Sequence, residues 1–184
     1  STLKNLPFAF HVSWPWMAIM LPVQAITAFY IVSNFPNFDP KTADEAQRWQ
    51  ILAANFPAGL LSLLASSSIA VSWHRYILLD EVPQGWQRFR LDAVALRYFG
   101  NIILLSLMIG LAAIVPSVAV TTLSYLIHPI VLVLFVPIIL AMIAYTIRYS
   151  VKMPAIALDR NDFRFRDALQ ATQGNNKQVL GLIL

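Results

Sequence analysis

The sequence predicts an all-α integral membrane protein with four full transmembrane helices, the start of a fifth, short loops and one interfacial helix. Three observations carry that expectation. Hydrophobic residues make up 58% of the chain and charged residues only 12%, with mean hydropathy +0.64; average soluble domains carry about a quarter charged residues. The stretch from Tyr98 to Ile147 contains no Asp, Glu, Lys or Arg, and as one straight helix it would reach roughly 75 Å, against about 30 Å of bilayer hydrocarbon. Its middle holds turn residues, Pro116-Ser117, Thr121-Thr122-Leu123-Ser124 and His128-Pro129, so it folds back as two spans joined by an uncharged hairpin.

Taken in order, the first span covers about 11–33, with Trp14 and Trp16 near one end and Phe29 and Tyr30 near the other, as aromatic rings at headgroup level would be. It is longer than the roughly 7–15-residue core of a signal peptide, so it reads as an uncleaved helix. Pro15 and Pro22 predict a kink. Asn34 to Pro40 reads as a loop. Thr42 and Glu45 then fit a capping box that opens a helix running into the second span, about 50–73, with Pro57 and Gly59 as bend points. The third and fourth spans fall at about 99–119 and 127–147. Phe163 to Thr172 predicts a short helix lying in the headgroup plane, capped by Asn161 or Asp162 and ended by Gly174. From about Gln178 the chain turns apolar again, the opening of a fifth span that continues beyond Leu184. The whole chain, 1–184, reads as a single polytopic domain.

Lys and Arg alternate between loops. Lys41 and Arg48 flank the first loop; Arg75, Arg88, Arg90 and Arg97 belong to the second; the third has none; Arg148, Lys152, Arg160, Arg164, Arg166 and Lys177 belong to the fourth. The positive-inside rule then puts the N-terminus and the second and fourth loops in the cytoplasm. The net charge of +4 therefore sits beside apolar spans, as juxtamembrane charge for lipid, and does not call for nucleic acid. Arg88, Arg90, Arg164 and Arg166 are the expected contacts for anionic lipid. The two basic loops also resemble each other: Leu79-Asp80, Arg88-Phe89-Arg90 and Asp92-Ala93 are echoed by Leu158-Asp159, Arg164-Phe165-Arg166 and Asp167-Ala168. A parallel repeat of the kind found in transporters would produce this, and so would the shared chemistry of two cytoplasmic interfaces.

Small residues recur along the second span at Ala58, Ser62, Ser66 and Ala70, and along the third at Ser106 and Gly110. Such stripes let membrane helices approach closely, so these six residues are the expected helix-packing positions. Ser66-Ser67-Ser68 could instead line a polar path, but no Gly-x-Ser-x-Gly elbow surrounds the triplet. No ionised residue lies near the middle of a span, which speaks against ion-coupled transport. Cysteine is absent, excluding disulfides, thiolate metal sites and cysteine nucleophiles from this sequence. The histidines are scattered; only His128, beside the hairpin proline, is a candidate for holding a cofactor such as a haem or chlorophyll. No cofactor and no metal site is expected.

The stretch from Ala70 through Trp73-His74-Arg75-Tyr76 to Asp80-Glu81, with Pro154 to Asp159 leading into Asp167 to Asn175, resembles uncharacterised multi-spanning inner-membrane proteins of alphaproteobacteria. The resemblance implies a bacterial inner membrane and six spans; it supplies no activity. The leading functional expectation is a non-enzymatic accessory or scaffolding subunit that packs against other transmembrane subunits of a bioenergetic or transport complex, or a small oligomer. A small-solute permease or lipid-handling protein is the alternative.

Overall fold

Prolines shape the helices without ending them. In the computed structural model, which describes residues 5–160, 162–175 and 181, helix α1 (Leu6–Asn34) runs unbroken through Pro15 and Pro22. α2 (Glu45–Leu79) passes Pro57, and α3 (Ala93–Leu126) passes Pro116. Each proline frees one carbonyl a turn back, whereas a full break would leave several backbone groups unpaired in an apolar stretch; continuing the helix is the smaller cost. The hairpin turn expected from Pro116 onward is therefore confined to His128-Pro129, followed by a 3-10 turn at Pro129–Leu134 and α4 (Phe135–Ser150). Two short helices follow, α5 (Lys152–Ala157) and α6 (Phe165–Ala171). No strand occurs among the described residues.

Among the described residues four helical segments are long and apolar enough to cross a membrane: Leu6–Asn34, Glu45–Leu79, Gly85–Leu126 and Pro129–Ala157. The first three segments run past the expected span limits at both ends, whereas the fourth begins at Pro129, inside the expected limit, and polar caps set some of these ends. The expected Thr42 cap gives way to Asp44, whose carboxylate accepts the Gln47 N–H at 2.7 Å. Thr42 is already used in a turn begun by Asp39, whose carbonyl accepts from Thr42 and Ala43. Asp92 accepts the Ala95 N–H at 2.9 Å and opens α3 in the same way. The short helix expected over Phe163 to Thr172 exists as the shorter α6, and there the Arg164 N–H donates to Asp167 at 2.7 Å. Of its proposed caps, Asn161 lies outside the described residues and Asp162 precedes the helix start. Gly174 follows α6 with φ +91°, a left-handed conformation suited to glycine. The fifth span, from about 178, lies outside the described residues apart from Gly181, which is helical.

The chain divides into two compact units, Ser1–Leu96 and Arg97–Leu184. The first is the α1–α2 hairpin with the loop that follows it. In the second, Lys152 ties elements together: its ammonium donates to Asn101 of α3 at 2.6 Å and lies 3.9 Å above the ring of Phe165, which also meets Tyr149 edge to face. Arg97 and Asp159 form a further ion pair within this unit.

Candidate functional site

The best-built part of the molecule is one end of the α1–α2 hairpin. Phe8, Val12, Pro15 and Trp16 of α1 are buried against Ala65, Ser67, Ser68, Val71 and Ser72 of α2. Small side chains on α2 let the backbones approach, and the large Trp16 fills the space they leave. Its indole N–H donates to the Ser68 hydroxyl at 3.1 Å, a buried bond across the two helices. Ser67 returns its hydroxyl to the Leu63 carbonyl of its own helix at 2.7 Å. The Ser72 hydroxyl is fully buried and has no partner among the described residues. Phe8 stacks on Tyr76, centroids 3.7 Å apart, at the mouth of this end.

The loop after α2 folds over the same end. Asp80 takes φ +53°, a left-handed conformation that Asp tolerates better than most residues, and this reverses the chain out of the helix. Pro83 then offers its carbonyl to the His11 ring nitrogen Nε2 at 3.2 Å, which fixes that nitrogen as the protonated one. Phe89 meets Trp16 edge-on at 5.4 Å. An ion-pair chain holds the loop's return: Arg75 donates to Glu81 at 2.6 Å, Arg90 to Glu81 at 2.9 Å and Arg90 to Asp92 at 2.8 Å. The Arg75 hydrogen bond, with Arg90 adding to it against partial burial, holds the Glu81 carboxyl below the ordinary carboxylate range. Burial pushes Asp92 upward, but the Ala95 N–H and Arg90 outweigh it and leave this carboxyl low as well.

Away from this closed end the hairpin changes character. No residue between 17 and 64 is buried. A groove of about 580 Å³ opens along one side, lined by Gln24, Thr27, Ala28, Ile31 and Val32 of α1 and by Asn55, Ala58, Gly59 and Ser62 of α2. A second groove of about 420 Å³, on the other side of Thr27, includes Tyr30 and Gln50. The carboxamides Gln24, Gln50 and Asn55 and the hydroxyls of Thr27, Tyr30 and Ser62 thus interrupt the apolar lining of these grooves.

The residues singled out from sequence are distributed unevenly over these features. Ala58 and Ser62 line the larger groove, Ala70 is half-buried, and Ser66 faces outward. The buried line on α2 runs instead through Ala65, Ser68 and Ser72, because an every-fourth-residue stripe drifts about 40° per step around a 3.6-residue helix whereas alternating steps of three and four stay on one face. Ser106 and Gly110 are exposed, and nothing approaches the Cβ position at Gly110 within 4 Å. Arg90 is committed to Glu81 and Asp92, and Arg88 is half-buried with its Nε unpaired among the described residues. Arg164 and Arg166 are exposed. His128 sits exposed in the α3–α4 turn, where its Nδ1 accepts the Ile130 N–H at 3.1 Å and caps the 3-10 turn. Among the described residues no group of three or more His, Cys, Asp or Glu side chains could hold a metal ion. Of the repeated loop motif, Asp80 and Asp159 are the two described non-glycine residues at positive φ, each just beyond a helix end. The copies then diverge, since Asp92 precedes its helix while Asp167 lies in the first turn of α6.

The Trp16–Ser68 pair and the Gln24–Asn55 groove were not foreseen. The signal for the second was available, a carboxamide in each of two facing apolar stretches. The signal for the first was ambiguous, because Trp16 at a span end equally suits a headgroup-level ring. No protein-family model matches the chain, and no curated protein and no solved structure shows significant similarity to it.

Proposed function

We propose that this chain is a multi-pass protein of a bacterial inner membrane, with a cytoplasmic N-terminus, that acts without enzymatic chemistry by packing its helices against other membrane-embedded chains as an accessory or scaffolding subunit. The observation that carries this reading is how little of its apolar surface the chain covers for itself. The most apolar windows of the four long helical segments are 6%, 22%, 6% and 0% buried. Lipid can cover such surface, but it cannot satisfy carboxamides such as Gln24 and Asn55, whose polar groups gain from a protein partner. The charged loop at the closed end agrees with a cytoplasmic face, where the excess of Arg belongs.

The test is purification in mild detergent. Retention of companion subunits in fixed stoichiometry is the expected result, and a lone chain that moves solute into liposomes would replace the reading. Reporters fused after Arg90 and near Asn37 should report cytoplasmic and periplasmic positions, respectively. The exposed Arg164 and Arg166 favour the second reading, a permease or lipid-handling protein, since guanidinium groups at the surface can meet anionic headgroups.

A further inference from the structure

We infer that the second unit holds an anionic phospholipid, with the lipid phosphate on the Lys152 ammonium and one acyl chain in the cavity between α3 and α4. The inference rests on the multi-pass membrane reading above and adds a ligand to it. Charge balance points to the anion. Residues 1–96 carry six Lys and Arg against six Asp and Glu, whereas residues 97–184 carry seven against three, so the net charge of +4 belongs to the second unit. The three carboxylates there are already engaged: Asp159 pairs with Arg97, Asp162 with Arg160 at 3.3 Å, and Asp167 accepts the Arg164 N–H. Lys152 makes no ion pair among the described residues. Its partners are neutral, the Asn101 carboxamide oxygen at 2.6 Å and the Phe165 ring at 3.9 Å. The Asn101 amide nitrogen donates to the Arg97 carbonyl at 2.8 Å, which leaves its oxygen for Lys152. An ammonium has three N–H donors and Asn101 takes one, so a phosphate oxygen completes the set with a charge-assisted bond.

The cavity accounts for the acyl chain. It measures about 270 Å³ and is lined by Met108, Ile109 and Ala112 of α3 and by Met142, Tyr145 and Tyr149 of α4. Unbranched methionine adapts to a flexible chain, and tyrosine rings offer flat apolar faces. The lining leads to the cation, because Tyr149 meets Phe165 edge to face and Lys152 lies over that same ring. On α3, Asn101 precedes Met108 by two turns on the same face, about 10 Å, and Lys152 follows Tyr149 by about one turn. Lys152 is also five residues from the end of the 29-residue segment Pro129–Ala157. That segment outreaches the roughly 30 Å of hydrocarbon, which puts the ammonium at headgroup level. A zwitterionic headgroup fits worse, since this unit has no uncommitted carboxylate for a lipid ammonium.

The test titrates the full chain, purified in mild detergent, with phosphatidylglycerol, phosphatidylcholine and oleate, and counts bound lipid by native mass spectrometry. The expected result is one retained phosphatidylglycerol per chain, held more tightly than phosphatidylcholine. Lys152→Gln keeps an amide donor for Asn101 and should weaken that binding roughly ten-fold, the loss of one charge-assisted hydrogen bond, while Lys152→Arg should restore most of it. Ala112→Trp, which fills the cavity, should weaken it to a similar extent. Arg166→Gln, at an exposed cation of the same unit, should change it by less than about two-fold. Circular dichroism checks that each variant keeps its helix content, and the comparison of the three lipids on the unaltered chain stands without any variant. Equal retention of phosphatidylcholine would overturn the inference, leaving annular lipid only, and so would retention of oleate without phosphatidylglycerol. Equal losses in Arg166→Gln and Lys152→Gln would reduce it to diffuse surface charge, and unchanged binding in Ala112→Trp would remove the cavity from it. Carbonate extraction separates these failures from failure of the underlying reading: protein that stays in the membrane but shows no such preference loses the lipid site alone, whereas protein released by carbonate loses both.

Discussion

The two ends of the α1–α2 hairpin use similar residue types in opposite ways. At the closed end serines are buried, one of them bonded to Trp16, and an ion-paired loop folds over the contact. At the open end nothing from 17 to 64 is buried, and carboxamides line grooves on both sides. Small polar side chains thus close a contact where a large ring is present to fill the space, and leave a groove where the facing residues are Thr27, Ala28 and Ile31. The difference separates surface that the hairpin buries within itself from surface that it does not.

The largest effect that would break this contrast is at Trp16. Truncating a buried aromatic costs about 3–5 kcal/mol in water-soluble cores; between membrane helices the transfer part is smaller, so Trp16→Ala should cost roughly 2–4 kcal/mol. The same truncation at the exposed Phe29 of the open end should stay within about 0.5 kcal/mol. Denaturant titration of the two variants in detergent, followed by helical circular dichroism, measures both. Equal losses would mean that the two ends do not differ in packing.

A smaller effect divides the serines of the closed end. Ser68→Ala leaves the Trp16 N–H buried without an acceptor and should cost about 1 kcal/mol. Ser72→Ala removes a buried hydroxyl that has no partner among the described residues and should be neutral or slightly stabilising. If Ser72→Ala proves the more damaging of the two, a polar group that bonds Ser72 belongs to this end of the hairpin.

How far this was legible in the letters follows from the same contrast. The four long apolar helices among the described residues could be read because long uncharged runs and hydropathy are local properties of the sequence. Helix ends were read less well, since Asp39 competed with Thr42 for the turn before α2, and Pro116 looked like a break where the helix continues. The buried face of α2 was harder still. Ser66, Ser67 and Ser68 are equivalent as a string, and which of them faces inward depends on Trp16, far away in the chain. His128 as a turn cap was likewise hidden, because its role depends on the Ile130 N–H brought back to it by the 3-10 turn.

The ion-paired loop sharpens the comparison through pH. Glu81 and Asp92 both hold their protons less tightly in the folded loop than as free carboxyls, so each contributes stability that is fully present above the ordinary carboxylate pKa of about 4 and is lost as the pH falls through the lowered folded value. Acidification below about pH 4 should therefore release the loop while leaving the uncharged grooves of the open end unaltered. The fluorescence lost in Trp86→Phe, which reports the loop, and the far-ultraviolet circular dichroism, which reports the helices, should separate in a pH titration. Simultaneous transitions would show that acid unfolds the hairpin as a whole.

A more local effect belongs to the turn that starts this loop. At Asp80 the backbone is left-handed, φ +53°, a conformation that costs a β-branched residue about 1–2 kcal/mol and glycine almost nothing. Asp80→Gly should therefore keep the loop docked, and Asp80→Val should loosen it without unfolding the helices. Limited proteolysis at Arg88 and Arg90 reads the difference, because trypsin can reach those bonds only when the loop lifts from the hairpin. Cleavage of Asp80→Gly as fast as that of Asp80→Val, both faster than the wild type, would mean that the Asp80 side chain, and not the handedness of its backbone, holds the loop at the closed end.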